Sequence, residues 1–278
     1  MAVTHAHLMT LAEWKRGAAW RHTLQHSCAV HRLIWITRGQ GLASLQGQRR
    51  GVGVHNAIVI PADSLFSLDL GKQGFGLVCV IPTGGPLLMP EEPVHLRVRD
   101  AQMQTELTAI LEGMQREQNQ KRPFLDEVLN AQASLATVWL RRALIEIGPD
   151  TDGKETAAIR LVRAYGALIA RDFRTGRTMA DYAAALGVTP THLTRSCRQI
   201  SGLSAAEMLT ERTLHAARDL LEQPERPVQQ IAGMLGFNSA AYFSRFILHH
   251  TGQTPSALRK RAAEPPTHAR QSFSGVSG

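Results

Sequence analysis

The chain has 278 residues, which is enough for about two domains with separate cores, and 44% of its residues are hydrophobic. Its mean hydropathy is −0.15, and no stretch approaches the roughly 20 apolar residues of a membrane span. The first 20 residues include charged side chains and lack the apolar core of a signal peptide, so we expect a cytoplasmic protein. The three cysteines, Cys28, Cys79 and Cys197, are far apart and odd in number, which argues against a disulfide framework.

The net charge of +8 is unevenly distributed along the chain. Residues 155–262 contain 14 Lys and Arg against 8 Asp and Glu, whereas the remaining residues contain 17 against 15. Of the 31 basic residues 26 are arginine, whose guanidinium makes bidentate contacts with guanine and phosphate. This asymmetry favours a polyanionic partner for the C-terminal part of the chain.

The region from residue 31 to residue 82 has a β-like pattern. Short runs rich in β-branched and aromatic residues are separated by Gly or Pro: His31–Thr37, Leu42–Gln46, Asn56–Pro61, Leu65–Leu70 and Phe75–Ile81. Short strands at this spacing predict a small all-β sandwich or barrel. The Pro- and Gly-rich segment at 82–93 predicts a loop.

Helical periodicity follows. Apolar residues recur at helical spacing from Met103 to Met114 and from Leu125 to Ile147, with a break near Pro123. The second helix is long enough to carry an apolar stripe for a partner, such as a second copy of the chain. Its apolar face equally fits a cap on the β-domain, and the pattern leaves both interpretations open.

The polar, helix-breaking run Gly148–Gly153 indicates a domain boundary. We therefore predict an N-terminal β-rich domain at 1–148, a linker at 149–156 and a helical domain at 157–262. The Ser- and Gly-rich tail at 263–278 is expected to be disordered.

A short motif occurs twice in the helical domain. The first copy is Leu186–Thr189 followed by Leu193–Arg195, and the second is Leu235–Asn238 followed by Phe243–Arg245. Each copy has the pattern of a helix, a tight glycine turn and a second helix, which is a helix-turn-helix. Gly187 and Gly236 stand where the turn favours a positive φ. Gly187 and Gly236 are 49 residues apart, whereas Arg195 and Arg245 are 50 residues apart. The second turn therefore holds one extra residue between its glycine and its arginine.

The second helix of the first copy has an apolar and a polar face. Thr189 and Pro190 have the types expected of an N-cap and a first helical residue. At about 100° per residue, one side of the helix is apolar and faces inward: Leu193, Cys197 and Ile200. The opposite side faces outward: Thr191, Arg195 and Arg198, with Thr194 at the flank. Such a helix fits a major groove about 12 Å wide.

The second copy repeats this arrangement with fewer polar side chains. The residues predicted to face inward are Phe243, Phe246, Ile247 and His250. Those predicted to face outward are Ala241, Arg245 and Leu248, with Ser244 beside them.

A capping box at Ser204–Glu207 predicts a connecting helix that runs to about Glu222. Its length of about 28 Å is close to the ~34 Å between groove positions on one face of B-DNA. We therefore expect one chain to present two recognition helices to successive major-groove segments.

Residues 157–262 resemble the DNA-binding domain of the AraC/XylS family of bacterial transcription regulators. The most specific part of the resemblance lies at Ile231–Phe237, Tyr242–Arg245 and Gly252–Arg259. It implies base-reading positions in both copies: Thr191, Thr194 and Arg195 in the first, and Ser239, Ser244 and Arg245 in the second. Arg198 is implied to face a phosphate. The family usually has Phe-Lys in each copy, whereas this chain has Cys197-Arg198 and Ile247-Leu248, so the second helix lacks a cation. Neighbouring His249 and His250 compensate only if they are protonated.

The N-terminal domain resembles the cupin-type sensor of many family members. The implied fold class is α+β with two domains, a cupin-like β-barrel with helices and an all-α domain with two helix-turn-helix units. The implied function is that of a nucleoid-associated regulator whose partners are double-stranded promoter DNA, RNA polymerase and a small-molecule effector. A homodimer through Leu125–Ile147 is a further expectation.

No catalytic residue, cofactor or metal site is expected, and the ligand-binding residues stay unknown. The His-x-His motif at His5 and His7 lies outside the β-region, away from where a cupin enzyme holds its metal. Aromatic and imidazole side chains on or near the strands are candidates for a pocket lining or for the core: His31, Trp35, His55 and Phe66.

Two enzymatic alternatives remain. A metal-dependent cupin oxygenase with a helical appendage predicts bound Fe, Mn or Zn. A DNA-repair methyltransferase needs a reactive cysteine in an electropositive site, which the sequence shows at neither Cys28 nor Cys79. The effector, the target promoter and the choice between activation and repression stay open.

Overall fold

The computed structural model describes residues 4–16, 18–150, 155–223 and 225–263. Within these residues the N-terminal part is rich in strands and the C-terminal part is helical, as predicted. The predicted linker at 149–156 lies partly outside the described residues, and the predicted disordered tail lies outside them apart from residue 263. No helix in the described stretches has both the length and the apolar character needed to cross a membrane.

The described strands form two antiparallel sheets. They are β1 (His7–Thr10), β2 (Val30–Arg38), β3 (Gly41–Leu45), β4 (Gln48–Val52), β5 (Asn56–Ile60), β6 (Phe66–Asp69), β7 (Phe75–Pro82) and β8 (Val94–Arg97). One sheet has the order β1-β7-β2-β5-β8 and the other β4-β3-β6. The predicted strands correspond to β2, β3, β5, β6 and β7, whereas β1, β4 and β8 were not predicted. In the described residues the two sheets are separate and no closed barrel forms.

The larger sheet packs on both faces because successive strand residues point to opposite sides. On β2, Ile34 and Ile36 lie in a core shared with the smaller sheet. Their neighbours Leu33 and Trp35 lie in a second core, formed with helices α3 (Ala101–Gln120) and α4 (Leu125–Glu146). The two helices match the predicted ones, and their apolar faces cover the sheet.

The aromatic residues proposed as a joint pocket lining are separated by this arrangement. Trp35 belongs to the core beneath the helices, while Phe66 belongs to the core between the sheets. His55 is exposed and stacks on Trp35, with 5.7 Å between ring centroids. His31 is half-buried on β2. The four residues therefore do not line one pocket, because alternate faces of the sheet hold Trp35 and Phe66 apart.

The remaining described helices are short, with two exceptions. They are α1 (Leu11–Lys15), α2 (Trp20–Thr23), α5 (Ala157–Asp172), α6 (Met179–Ala185), α7 (Pro190–Ser201), α8 (Ala205–Leu221), α9 (Val228–Met234), α10 (Ala240–Thr251) and α11 (Pro255–Ala263). The chain divides into two compact units, Met1–His215 and Ala216–Gly278, and the division falls inside α8. The domain limits at 148 and 157 stay a prediction.

Candidate DNA-binding surface

The first helix-turn-helix consists of α6 and α7. Thr178 caps α6 by accepting a hydrogen bond from the backbone N–H of Asp181, whose carboxylate accepts one from the backbone N–H of Thr178 at 2.8 Å. The hydrogen bonds that this carboxylate accepts from the backbone N–H and the hydroxyl of Thr178 lower the pKa of Asp181. Gly187 adopts a φ of +68° in the turn, a value that favours glycine. Thr189 caps α7 by accepting from the His192 N–H at 3.2 Å, and Pro190 follows it.

The two faces of α7 agree with the helical pattern. Leu193 and Cys197 are fully buried, and burial raises the pKa of the Cys197 thiol to about 12. This thiol is therefore a neutral core group. The outward-facing residues Thr191, Arg195 and Arg198 are exposed, whereas Thr194 at the flank and Ile200 on the apolar side are half-buried.

A buried tyrosine pair supports this unit from beneath. Tyr165 on α5 and Tyr182 on α6 pack edge to face, with ring centroids 5.6 Å apart. The Tyr165 hydroxyl donates to the carbonyl oxygen of Ala205 at 2.7 Å. The carboxylate of Asp172 accepts from the guanidinium of Arg177 at 2.6 Å. Its hydrogen bond with Arg171, followed by the charges of Arg171 and Arg177, lowers the pKa of Asp172. The scaffold of α7 is thus held by aromatic packing, by the hydrogen bond of Tyr165 and by the ion pair between Arg177 and Asp172.

The second helix-turn-helix consists of α9 and α10. Gly236 has a φ of +76°, and the Ser239 hydroxyl caps α10 by accepting from the Tyr242 N–H at 3.1 Å. The turn between Met234 and Ala240 is one residue longer than the turn between α6 and α7, as predicted.

The core beneath α10 is aromatic. Phe237 in the turn lies 5.2 Å from the rings of both Phe243 and Phe246. Phe243 and Ile247 are fully buried, and Phe246 is half-buried. Two of the outward-facing residues, Ala241 and Arg245, are exposed, and Ser244 is half-buried.

Two features of α10 differ from the expectation or add to it. His250 was predicted to face inward but is exposed, with its ring 4.7 Å from that of Phe246. It lies in the last turn, one residue before the helix ends at Thr251 and three residues beyond Ile247, the last buried residue of α10. Burial and His249 lower the pKa of His250, which disfavours a compensating positive charge. Tyr242, which lies three residues before Arg245, is 56% exposed and was not among the residues predicted to contact DNA.

The exposed side chain of Leu248 occupies the position where the resemblance described above implies lysine. It is 47% exposed, so α10 presents an apolar group where α7 presents Arg198. Arg259, at the end of the segment Gly252–Arg259, donates to the carbonyl oxygen of Arg226 at 2.6 Å. This hydrogen bond ties α11 to the segment before α9.

The cysteines outside the helical region differ in their surroundings. Cys79 is fully buried, and burial raises the pKa of its thiol to about 12. Cys28 is half-buried, and the guanidinium of Arg32 contacts its sulfur. The sequence indicated no electropositive neighbour for Cys28, because Arg32 lies on strand β2 and the contact depends on how the preceding loop folds back.

Two further observations concern the binding of small molecules and metal ions. A surface groove of about 590 Å³ is lined by basic and apolar side chains, which include Lys15, Arg38, Lys72 and Phe75. Within the described parts of the chain, no three His, Cys, Asp or Glu side chains are grouped as metal ligands. The prediction that the motif at His5 and His7 lies outside the β-region is wrong for His7, which begins strand β1.

Comparisons with known proteins agree with the geometry of the helical region. A family model described as a helix-turn-helix domain matches residues 182–261. The "Probable transcription factor PqrA" of Proteus vulgaris is 32% identical over 82 residues, which cover 30% of this chain and 67% of that protein. The "HTH-type transcriptional regulator GlxA" of Rhizobium meliloti is 38% identical over 76 residues, 27% of this chain and 24% of that protein.

The "Bifunctional transcriptional activator/DNA repair enzyme AdaA" of Bacillus subtilis is 28% identical over 100 residues, 36% of this chain and 47% of that protein. The chain thus spans less than half the length of GlxA and of AdaA. Among solved structures, apo ToxT from Vibrio cholerae covers 92% of this chain and 97% of its own at 12% identity, with a TM-score of 0.43. Because this score is below 0.5, the assignment rests on the sequence matches. The helix-turn-helix match over both recognition helices and the similarity to two thirds of PqrA show that the chain belongs to the AraC/XylS family of bacterial transcription regulators.

Proposed function

We propose that this protein is a sequence-specific DNA-binding transcription regulator that acts in the cytoplasm on the nucleoid. The observation that carries the proposal is the pair of helix-turn-helix units whose second helices each expose an arginine opposite a buried apolar face. Arg195 projects from α7 and Arg245 from α10. Arginine is the side chain that most often reads guanine in the major groove.

The two recognition helices are proposed to contribute unequally. Around Arg195, the helix α7 offers Thr191 and Thr194 for base contacts and Arg198 for a phosphate. The second helix-turn-helix offers fewer polar groups, and these are Ser239, Ser244 and Arg245. The Ser239 hydroxyl already accepts a backbone hydrogen bond as an N-cap, which leaves its proton and one lone pair for contacts with DNA. Because it offers more polar groups, the first helix-turn-helix would supply most of the sequence discrimination.

The sheet-rich part is proposed to be a cupin-like sensor of a small molecule. Its two facing sheets with a shared core are consistent with such a domain. The groove of about 590 Å³ has a size that is typical of small-molecule sites, which range over roughly 300–1,000 Å³. Its cationic and aromatic lining would suit an effector that carries an acidic group on an apolar body.

A homodimer through Leu125–Ile147 is proposed from the outer face of α4. Apolar residues there recur at spacings of three, four and three, which is the pattern of a coiled-coil seam: Val128, Ala131, Leu135 and Val138. Ile145 follows seven residues later, with Arg142 at the intervening seam position. Leu135 is 57% exposed and Ile145 is 85% exposed. A second copy of α4 would cover them. We propose that the dimer binds double-stranded promoter DNA and contacts RNA polymerase there.

We propose no enzymatic activity. The repair function in the name of AdaA would require a nucleophilic thiolate, and burial keeps Cys79 and Cys197 protonated. Cys28, beside the Arg32 guanidinium, is the thiol to test. Incubation with DNA that carries a methylated base should leave the mass of the protein unchanged, and a gain of one methyl group on Cys28 would contradict the proposal.

The regulator function is tested by selection from a random DNA pool, followed by footprinting of the selected site. The native chain should enrich one sequence and protect two segments ~10 base pairs apart per subunit. Arg195→Ala should cost about 1–3 kcal/mol on that site and relax specificity at one position. A native chain that enriches no sequence refutes the proposal. A uniform loss on all sequences in the variant refutes only the base-reading role of Arg195.

A further inference from the structure

The turn between β3 and β4 protrudes from the smaller sheet. Its two central residues, Gln46 and Gly47, have φ values of +49° and +80°, as in the two-residue turns that suit hairpins. The backbone N–H of Gln46 donates to the carbonyl oxygen of Leu65 at 2.8 Å, which ties the turn to the neighbouring segment. The turn is therefore a fixed part of the sheet.

This turn is packed between two helices of the helical region. A β-carbon at Gly47 would lie 2.6 Å from Cγ1 of Val162 on α5 and 2.8 Å from Cε of Met208 on α8. Val162 and Met208 are both fully buried. From the other side, a β-carbon at Gly166 on α5 would lie 3.2 Å from the carbonyl carbon of Gln46. Backbone and helices therefore approach so closely that each side has a glycine at the contact.

Polar contacts reinforce the same interface in two other places. Both carboxylate oxygens of Glu92, in the loop before β8, lie 2.9 Å from Nη1 of Arg163 on α5. Arg212 on α8 donates to the hydroxyl of Ser27 at 3.3 Å, and its guanidinium lies 3.7 Å from the ring centroid of Phe173.

All of these residues belong to the compact unit Met1–His215, which also contains α7. In this packed state Thr191, Arg195 and Arg198 remain exposed. The contact therefore leaves the recognition face of α7 open and does not block it.

We propose that the β3–β4 turn is a docking element through which the sheet-rich part positions the recognition helix α7. The proposal rests on the proposed function, because it assigns a role to the orientation of α7 on DNA. It goes further in naming the place where a change in the smaller sheet reaches the first recognition helix. A linker that only tethers the two parts would predict no effect of this turn on α7.

The test uses the full chain with two matched pairs of variants. Gly166→Leu places a side chain against the backbone of Gln46, whereas Ala167→Leu adds the same side chain at an exposed neighbouring position of α5. Gly47→Ala is a milder change, and Gly84→Ala is its control, because Gly84 has a similar φ of +81° with nothing within 4 Å of the added carbon.

Hydrogen exchange is measured by mass spectrometry on the four variants, and DNA affinity is measured on the sequence selected by the native chain. The disruptive variant of each pair should exchange faster by about 5- to 150-fold in the β3–β4 turn, α5 and α7, with the larger effect for Gly166→Leu. Exchange in β2 and β7 should be unchanged. The footprint at the segment contacted by α7 should weaken in the same variants, while both controls stay native.

Unchanged exchange in the turn and α5 for both disruptive variants overturns the docking. Faster exchange there with a native footprint overturns the positioning of α7. A native chain that selects no DNA sequence refutes the proposed function, and the exchange measurements alone then decide whether the turn is docked.

Discussion

The stacked pair of His26, which is buried, and His215, which is half-buried, allows us to predict how acid destabilises the compact unit Met1–His215. The imidazoles of His26, in the loop before β2, and His215 on α8 stack with 4.4 Å between centroids and 4° between planes. His215 also lies edge-on to Trp20 at 5.2 Å, and its Nε2 is 3.1 Å from the carbonyl oxygen of Arg21. Burial, followed by the nearby guanidinium of Arg212, lowers the pKa of His215 from 6.5 to about 3.

The sign of the effect follows from this lowered pKa. The unfolded chain takes up a proton at His215 as the pH falls below 6.5, whereas the folded chain stays neutral there until about pH 3. The part of the free energy of unfolding that depends on His215 is therefore fully present above about pH 6.5 and decreases as the pH falls from 6.5 to about 3. At pH 5.0 the loss is about 2 kcal/mol, from a distance of 1.5 pH units at about 1.4 kcal/mol per unit. His26 has a pKa lowered mainly by burial and by His215, and it adds a loss of the same sign.

Urea unfolding at pH 7.5 and pH 5.0 measures this loss. The four tryptophans of the chain all precede residue 140, so their fluorescence reports on the first unit alone. His215→Phe keeps a ring against His26 but cannot titrate. Between the two pH values, its free energy of unfolding should fall by about 2 kcal/mol less than that of the native chain. His192→Phe, at an exposed position of α7, should keep the native pH dependence. Equal losses in the native chain and in His215→Phe would refute the reasoning.

Three further predictions concern the proposed contacts. Arg198→Ala should weaken binding to all DNA sequences and lower the slope of log K against log salt by about 0.9, while the exposed neighbour Gln199→Ala should not, and an unchanged slope would exclude the phosphate contact. Leu248→Arg should restore the cation on α10 and steepen the same slope by about 0.9; unchanged binding would mean that this position does not approach the DNA backbone. Leu135→Glu should shift the chain from dimer to monomer in analytical ultracentrifugation, and a native-like dimer would place the interface elsewhere.

The sequence predicted the long elements because their apolar residues have a clear period. It missed β4 because Gln48–Val52 is polar and only Val52 is buried, so no alternation of apolar residues marks the strand. The short strands β1 and β8 contain four residues each and lie at the two edges of the larger sheet. Their strand conformation depends on pairing with β7 and β5.

In the candidate site, the turn glycines and the buried face of α7 were predictable from local chemistry, because a positive φ and an apolar stripe follow from a few neighbouring residues. The position of His250 was not, since a helical wheel assigns a direction without showing whether protein lies there. The packing of the turn at Gln46 and Gly47 against Val162 and Gly166 of α5 was also beyond the sequence. It joins residues more than one hundred positions apart, and nothing local indicates which surface a glycine meets.

The unequal recognition helices and the docked turn together imply that α7 and α10 have different roles on DNA. The unit with the richer polar face, around Arg195, is the one that packs with the sheet-rich part in a single compact unit. Residues 216–278 form a compact unit of their own and carry the poorer face around Arg245 and Leu248. On the proposed function, an effector bound to the sheets would therefore alter discrimination at the segment read by α7. The contribution of α10 would stay nearly constant, because its core is formed by Phe237 and its aromatic neighbours within the second unit.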